Sequence, residues 1–387
     1  MSEEPAGAAQ IAPFQIAVPE EVLADLRARL ARTRWPDQIP GSGWDYGTEL
    51  AYLRELCEYW RGEYDWRRHE AALNRWPQFT TQVDGQRIHF IHARAKREDA
   101  LPLLITHGWP GSIAEFQKIL PLLTEPEAHG GDAADAFHVV CPSMPGYGFS
   151  GPTHARGWDA QRIAEAEMEL MRRLGYARYG AQGGDWGALV TVHIGRLDAA
   201  HCAGIHLNMI MALPPEEPGE LSEREQQSLA RSKEFQQTGA GYQAIQGTRP
   251  QTLAYGLFDS PAGLAGWIIE KFRAWSDCGG DVESVFSRDE LLTNITIYWV
   301  TGTINSSMRL YYEMRKSGRA GFTQGKVEVP TGCASFPGEI YNAPRAWAER
   351  HYNVTHYTTH NKGGHFAAME QPTLLANDLR TFFRPLR

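Results

Sequence analysis

The sequence predicts an α/β fold: a mostly parallel sheet flanked by helices, preceded by a helical extension and interrupted by a helical insertion. Three features carry this expectation. From about residue 91 to 210, and again from 326 to 387, short β-prone runs alternate with helix-periodic stretches, as strands joined by crossover helices do. Residues 14 to 80 carry helical spacing instead. Residues 211 to 325 break the alternation with helical segments. The expected organisation is an N-terminal extension over 1–90 wrapping the core, a core over 91–210 and 326–387, and a helical lid over 211–325.

In the extension, Val22, Leu23, Leu26 and Leu30 recur at helical spacing, as do Leu50, Leu53, Cys57 and Trp60, with Pro36 and Pro40 punctuating the gap. The period then changes. In TTQVDGQRIHF, Asp84-Gly85 separates two β-prone stretches, a hairpin signal. LPLLIT (101–106) and FHVVC (137–141) are short apolar runs that fit buried strands. DAQRIAEAEMELMRRLG (159–175) is an amphipathic helix stopped by Gly175. ARYGAQGG (177–184) is a weaker strand, GALVTVHIGRL (187–197) a helix and CAGIHLN (202–208) the next strand. The lid opens on the acidic, Pro-rich MALPPEEPGELSEREQ and includes GLAGWIIEKFRAW. Alternation resumes with VEVPTGCASF (327–336) and VTHYTTH (354–360), and PTLLANDLRTFF closes the chain as a helix.

The composition bounds the function. A chain of 387 residues with 42% hydrophobic and 22% charged residues has enough apolar content for a large core. Its 38 basic and 46 acidic residues leave a net charge of −8, which argues against nucleic acid or an anionic membrane as partner. No apolar run approaches a bilayer span, and the acidic start MSEEPAGAAQ lacks the basic, then apolar, pattern of a signal peptide. Five scattered cysteines with no CxxC indicate neither a disulfide framework nor a zinc site. A cytoplasmic protein is expected, and a homodimer is compatible with the sequence.

The sharpest motif is Gly183-Gly184-Asp185-Trp186-Gly187. It has the G-x-Nuc-x-G spacing of a nucleophile elbow, a tight strand-to-helix turn that exposes one side chain above a sheet. Here that side chain is a carboxylate, suited to attack on an electrophilic sp³ carbon with formation of an alkyl ester. Taken alone, Asp185 is equally readable as a cap for the following helix. Chain order argues for chemistry. Glu339, in SFPGEIYNAP, follows a strand, and His365, in GGHF, follows the last strand. Nucleophile, acid, histidine is the order of an α/β-hydrolase sheet, and an acid there can hold the imidazole's tautomer and stabilise its cation. HGWP (107–110), directly after LPLLIT, supplies the loop that gives one oxyanion-hole N–H. The backbone N–H groups of Trp109 and Trp186 are the expected pair.

Other patterns lead nowhere. GYGFSG (146–151) satisfies G-x-G-x-x-G, but Pro142, Pro145 and Pro152 surround it and no helix opens there. His356 and His360 lie in a β-branched stretch without a third ligand, so no metal is expected. Asn353-Val354-Thr355 fits a glycosylation sequon without a secretion signal.

Together, RTRWPD, HGWPGS, PSMPGYGFS, GGDWG, DSPAGLAGWIIEKF, LLTNITIYW and GGHFAAMEQP resemble the microsomal-type epoxide hydrolases over nearly the whole chain. The resemblance implies the α/β-hydrolase fold and hydrolysis of an epoxide to a vicinal diol through an ester on Asp185, without cofactor or metal. It implies His365 as base, Glu339 as its acid partner, and two lid tyrosines that donate to the epoxide oxygen. These match Tyr242 in GYQAIQGTRP and Tyr311 in SSMRLYYEM, with Tyr312 one residue away. Microsomal members carry an N-terminal membrane anchor that this chain begins without, which implies a soluble form. His107, Trp109 and Trp186 are expected at the pocket, with a small apolar or aromatic epoxide as substrate. The rival readings are a dehalogenase, which would need halide-binding donors in place of the tyrosines, and a non-catalytic ligand-binding protein on the same scaffold.

Overall fold

A computed structural model describes residues 10–216, 219–318 and 325–387. The chain opens with a short strand β1 (Ala12–Phe14) and three helices, α1 (Glu20–Ala31), α2 (Leu50–Gly62) and α3 (Trp66–Leu73). The hairpin β2 (Gln78–Val83) and β3 (Gln86–Ala93) follows. Its turn has positive φ at Asp84 and Gly85, +50° and +72°, which is why Asp-Gly stands there. Next come β4 (Leu101–Thr106), α4 (Ile119–Thr124), β5 (Phe137–Pro142), α5 (Ala160–Arg173), β6 (Tyr179–Gly183), α6 (Asp185–Leu197) and β7 (Cys202–Leu207).

Among the described residues nine strands form one sheet in the order β1-β2-β3-β5-β4-β6-β7, then β8 (Val327–Ser335) and β9 (Tyr352–Thr359). From β5 through β4 to β9 every pairing is parallel, while β1, β2 and β3 are added antiparallel. The expected boundary at residue 90 therefore falls inside a strand. Phe90–Ala93 of β3 pairs with Pro142–Val139 of β5, so the extension contributes three strands as well as helices to the core sheet. The period-2 alternation sorts side chains to two layers. Leu104 and Val140 pack with Ile163, Leu170 and Val190 of α5 and α6 on one face. Leu103, Ile105 and Val139 pack with Leu120, Leu375 and Leu379 on the other.

Among the described residues between β7 and β8 lie six α-helices: α7 (Glu223–Glu234), α8 (Gly241–Gln246), α9 (Pro250–Asp259), α10 (Pro261–Trp275), α11 (Arg288–Thr301) and α12 (Ile304–Ser317). Capping boxes Ser222/Glu225 and Ser287/Glu290 start α7 and α11. Residues 217–218 of the lid's lead-in and 319–324 at its end, like the small-residue start 1–9, lie outside the described residues. The N-terminal helices brace the lid. Arg29 of α1 binds Asp259 at 2.7 Å, Trp60 of α2 donates Nε1–H to Thr296 at 3.0 Å, and Thr48 donates to the Gly266 carbonyl at 2.7 Å. After β8 come α13 (Arg345–His351), β9, α14 (Ala367–Glu370) and α15 (Pro372–Phe383). Among the described residues no helix is long and apolar enough to cross a membrane, and the five cysteines are free and buried.

Candidate active site

The turn from β6 into α6 puts Asp185 above the carboxyl ends of the parallel strands, where open α/β sheets bind ligands. Asp185 has φ of +50°, a conformation that costs a non-glycine residue about 1–3 kcal/mol and is held only where surroundings over-determine it. The flanking glycines do so by sterics. A Cβ at Gly183 would lie 2.1 Å from the Gly187 carbonyl oxygen, and one at Gly187 would lie 2.0 Å from that of Thr106. Helix α6 thus starts in contact with β4, and its first side chain has nowhere to point but up.

Above it runs the loop after β4. The Trp109 N–H donates to Asp185 Oδ1 at 2.7 Å. Helix α11 pins this loop from the lid side: Asn294 donates to the Pro110 carbonyl and Tyr298 to that of Gly111, both at 2.7 Å. LLTNITIYW thus matters for what it holds. The Trp109 indole is fully buried and stacks on Tyr242 with centroids 5.3 Å apart. Neither Trp109 nor His107 lines the large cavity where both were expected; for His107 the reason is local. Its Nε2 accepts from the Met144 N–H at 3.2 Å and its Nδ1 faces the Gly108 carbonyl at 3.0 Å, and burial draws its pKa down to about 4. A neutral histidine bonded at both nitrogens builds the loop and has no lone pair left for a ligand.

The loops after β8 and β9 bring up the other two groups. His365 Nδ1 lies 2.8 Å from Glu339 Oε1, and its Nε2 lies 3.3 Å from Asp185 Oδ2. Glu339 is fully buried, and the same oxygen accepts the Ile340 N–H at 2.6 Å. The ring of Trp275, at the end of α10, meets the imidazole edge-on at 5.1 Å. Burial alone would push His365 towards neutrality. The carboxylates of Glu339 and Asp185 outweigh it and hold the imidazole well above its ordinary range. With Asp185 ionised, His365 rests as a cation between two carboxylates.

A cavity of about 590 Å³ lies between Asp185 and the lid. Tyr242 from α8 and Tyr311 from α12 both line it, their rings 5.8 Å apart and edge-on. Trp186 lines it too, its ring 4.7 Å from that of Tyr311. Tyr312 does not; Lys316 lies over its ring, 5.9 Å from the centroid. Burial, reinforced by the Asp185 charge, holds both lining phenols well above their ordinary pKa, so they stay protonated. The remaining wall is apolar, with Leu189, Met209, Met211, Met314 and Ile340, while Gln236, Gln243 and Arg315 add polar groups. Sequence reasoning missed these residues, because a pocket methionine has the same local pattern as a core methionine. It also missed buried Lys271, ion-paired to Glu270, whose Nζ sits 4.6 Å from the Tyr242 ring centroid. A cation at that face eases negative charge on the phenol.

Residues 11–116 match the epoxide hydrolase N-terminus family and residues 102–245 the α/β-hydrolase fold family. A Stigmatella aurantiaca chain, provisionally described as an epoxide hydrolase, is 52% identical over 97% of this chain and 86% of its own. Epoxide hydrolase 1 of Sus scrofa is 39% identical over 96% of this chain and 88% of its own. The crystal structure of juvenile hormone epoxide hydrolase from Bombyx mori superposes with a TM-score of 0.90 at 31% identity, covering 98% of this chain and 95% of the other.

Proposed function

This chain belongs to the epoxide hydrolase family, and we propose that it hydrolyses an apolar epoxide to a vicinal diol through an ester on Asp185. The observation that carries this reading is the carboxylate of Asp185 within 3.3 Å of His365, in a cavity lined by two protonated phenols. Asp185 attacks one ring carbon; the carbon–oxygen bond breaks, and the ring oxygen takes its proton from the Tyr242/Tyr311 pair. An alkoxide is a poor leaving group, so acid assistance matters here, and such proton transfer typically contributes about 10²–10⁴ in rate. A halide needs no proton on leaving, which favours the epoxide over a haloalkane.

Ester formation removes the Asp185 charge. One of the two carboxylates that hold His365 as a cation is then gone, so its pKa falls and it can give up its proton. The neutral imidazole, oriented by Glu339, takes a proton from water as the water oxygen attacks the Asp185 carboxyl carbon. The N–H groups of Trp109 and Trp186 receive the oxyanion. Collapse breaks the bond between the Asp185 carboxyl carbon and the ester oxygen, so that oxygen leaves with the diol, and His365 returns the proton to it. The proton that His365 gives up before hydrolysis replaces the one the phenol lost, and the proton left on the regenerated Asp185 carboxyl returns to His365, so the cycle closes with side chains, substrate and one water. The largely apolar 590 Å³ cavity suits a drug-sized apolar or aromatic epoxide.

The test is to trap the ester. His365→Gln removes the base and leaves the nucleophile, so intact-mass measurement after styrene oxide should show a stable adduct on the peptide containing Asp185. A variant that releases diol with no adduct would rule this route out.

A further inference from the structure

A second, much smaller cavity lies behind Asp185, on the side of His365. Its volume is about 20 Å³, room for a single water molecule and little more. Among the described residues, Asp185 alone lines both it and the large cavity. The carboxyl group is thus a partition, with the phenols and substrate space on one side and the imidazole on the other. Glu115 also lines this small cavity, and neither the ester reading nor the sequence motifs assign it a role. We propose that the small cavity is the site of the hydrolytic water, and that Glu115 is the positioning residue that holds this water for attack on the Asp185 ester. The inference rests on the ester route proposed above.

The geometry favours a water held behind the nucleophile. Once Asp185 is alkylated, the new diol arm fills the large-cavity side of the carboxyl group. An attacking water must then approach from the other side and within reach of His365. The 20 Å³ cavity meets both conditions. Glu115 is built into its wall. It sits on the one-turn helix Ile113–Phe116 directly after HGWPGS, and its carboxyl group lies over Gly111, where a Cβ would fall 1.4 Å from Oε1. The glycine in that loop therefore reserves the space the carboxyl occupies. Its electrostatic partners are His365 and Asp185, with the Ser112 backbone N–H as hydrogen-bond donor.

The protonation state fits the role. Burial raises the Glu115 carboxyl to about 8, His365 pulls it down and Asp185 pushes it up, so at neutral pH it is mostly neutral. A neutral carboxyl adds no second charge beside Asp185, and its carbonyl oxygen can accept a hydrogen bond. The water has two protons. One goes to His365 Nε2 as its oxygen bonds to the ester carbon, and the other stays on that oxygen, hydrogen-bonded to Glu115. Glu115 gains and loses no proton in this step. It fixes which way the oxygen lone pair points.

The experiment follows both half-reactions by rapid-quench intact-mass measurement with excess styrene oxide in the wild type, Glu115→Leu, Glu115→Ala and Glu115→Gln. Leu and Ala should form the ester at the wild-type rate, which also shows that they fold. They should hydrolyse it about 10²-fold more slowly, the typical cost of misplacing a reacting group by an ångström. Ester then accumulates, and kcat and KM fall together. Gln, whose amide carbonyl can accept the same hydrogen bond, should restore hydrolysis to within a few-fold. Ester turnover at the wild-type rate in Leu and Ala would overturn the proposal. So would a Gln variant as slow as Leu, because that would require a charge or a proton rather than an acceptor. Absence of any ester in the wild type and in His365→Gln, with diol still released, would instead sink the ester route on which the proposal stands.

Discussion

The imidazole Nε2 of His365 stands 3.3 Å from Oδ2 of Asp185. The carboxylates of Glu339 and Asp185 raise the His365 pKa well above its ordinary range, and in the proposed ester route the same contact becomes a general base facing an ester once Asp185 is alkylated. Two roles follow from one geometry because the reaction itself removes a charge.

In the proposed route the lid tyrosines set the first step. Tyr242→Phe and Tyr311→Phe should each slow ester formation by about 10²-fold, and the double variant should all but abolish it, within the usual range for a lost general acid. Tyr312→Phe should stay within a few-fold of wild type, because Tyr312 lies outside the cavity with Lys316 over its ring. Single-turnover ester formation with styrene oxide measures all four.

Much of this was legible in the sequence where the constraint is local. The elbow glycines are demanded by contacts within the turn and with the neighbouring strand, so G-x-Nuc-x-G survives as a pattern. The sequence leaves Tyr311 and Tyr312 as alternatives, and the structure separates them: Ile304, Met308 and Tyr311 fall on one buried face, and Tyr312 falls off it. Features set by distant partners were not legible. Strand β6 looks weak because Gly180 must admit the ring of Phe383, where a Cβ would lie 2.4 Å from a ring carbon. Strand β1 is three residues long and is defined by pairing with β2, more than sixty positions away. Glu115 carries no motif beyond its own loop, and the role proposed for it comes from the cavity it lines.

Gly108 offers a test of nucleophile placement. A Cβ there would lie 2.1 Å from Asp185 Oδ1 and 2.4 Å from Asp185 Cβ. Gly108→Ala should therefore shift the carboxylate off the Trp109 N–H and cut the rate of ester formation by about 10²-fold or more. Thermal unfolding and the same single-turnover assay should show this loss to exceed any change in stability.

The His365 ion pair predicts a pH-dependent stability. Its folded-state pKa is raised above the unfolded value of about 6.5. The contact therefore stabilises the fold fully below that pH, and the contribution is lost as pH rises through the raised folded-state value. Asp185→Asn removes one of the two carboxylates. The Tm difference between wild type and Asp185→Asn arising from this pair should be largest near pH 6 and shrink as the pH rises through the raised folded-state value. A difference that grows with pH would mean that His365 rests neutral.

The most direct test of the central claim is a single turnover in ¹⁸O-labelled water with the enzyme in excess over styrene oxide. If Asp185 is the nucleophile, the diol oxygen added in that turnover comes from its carboxylate. The first diol then carries little label, and the peptide containing Asp185 gains it. A diol fully labelled in the first turnover, with Asp185 unlabelled, would mean that water attacks the ring directly and would contradict the account.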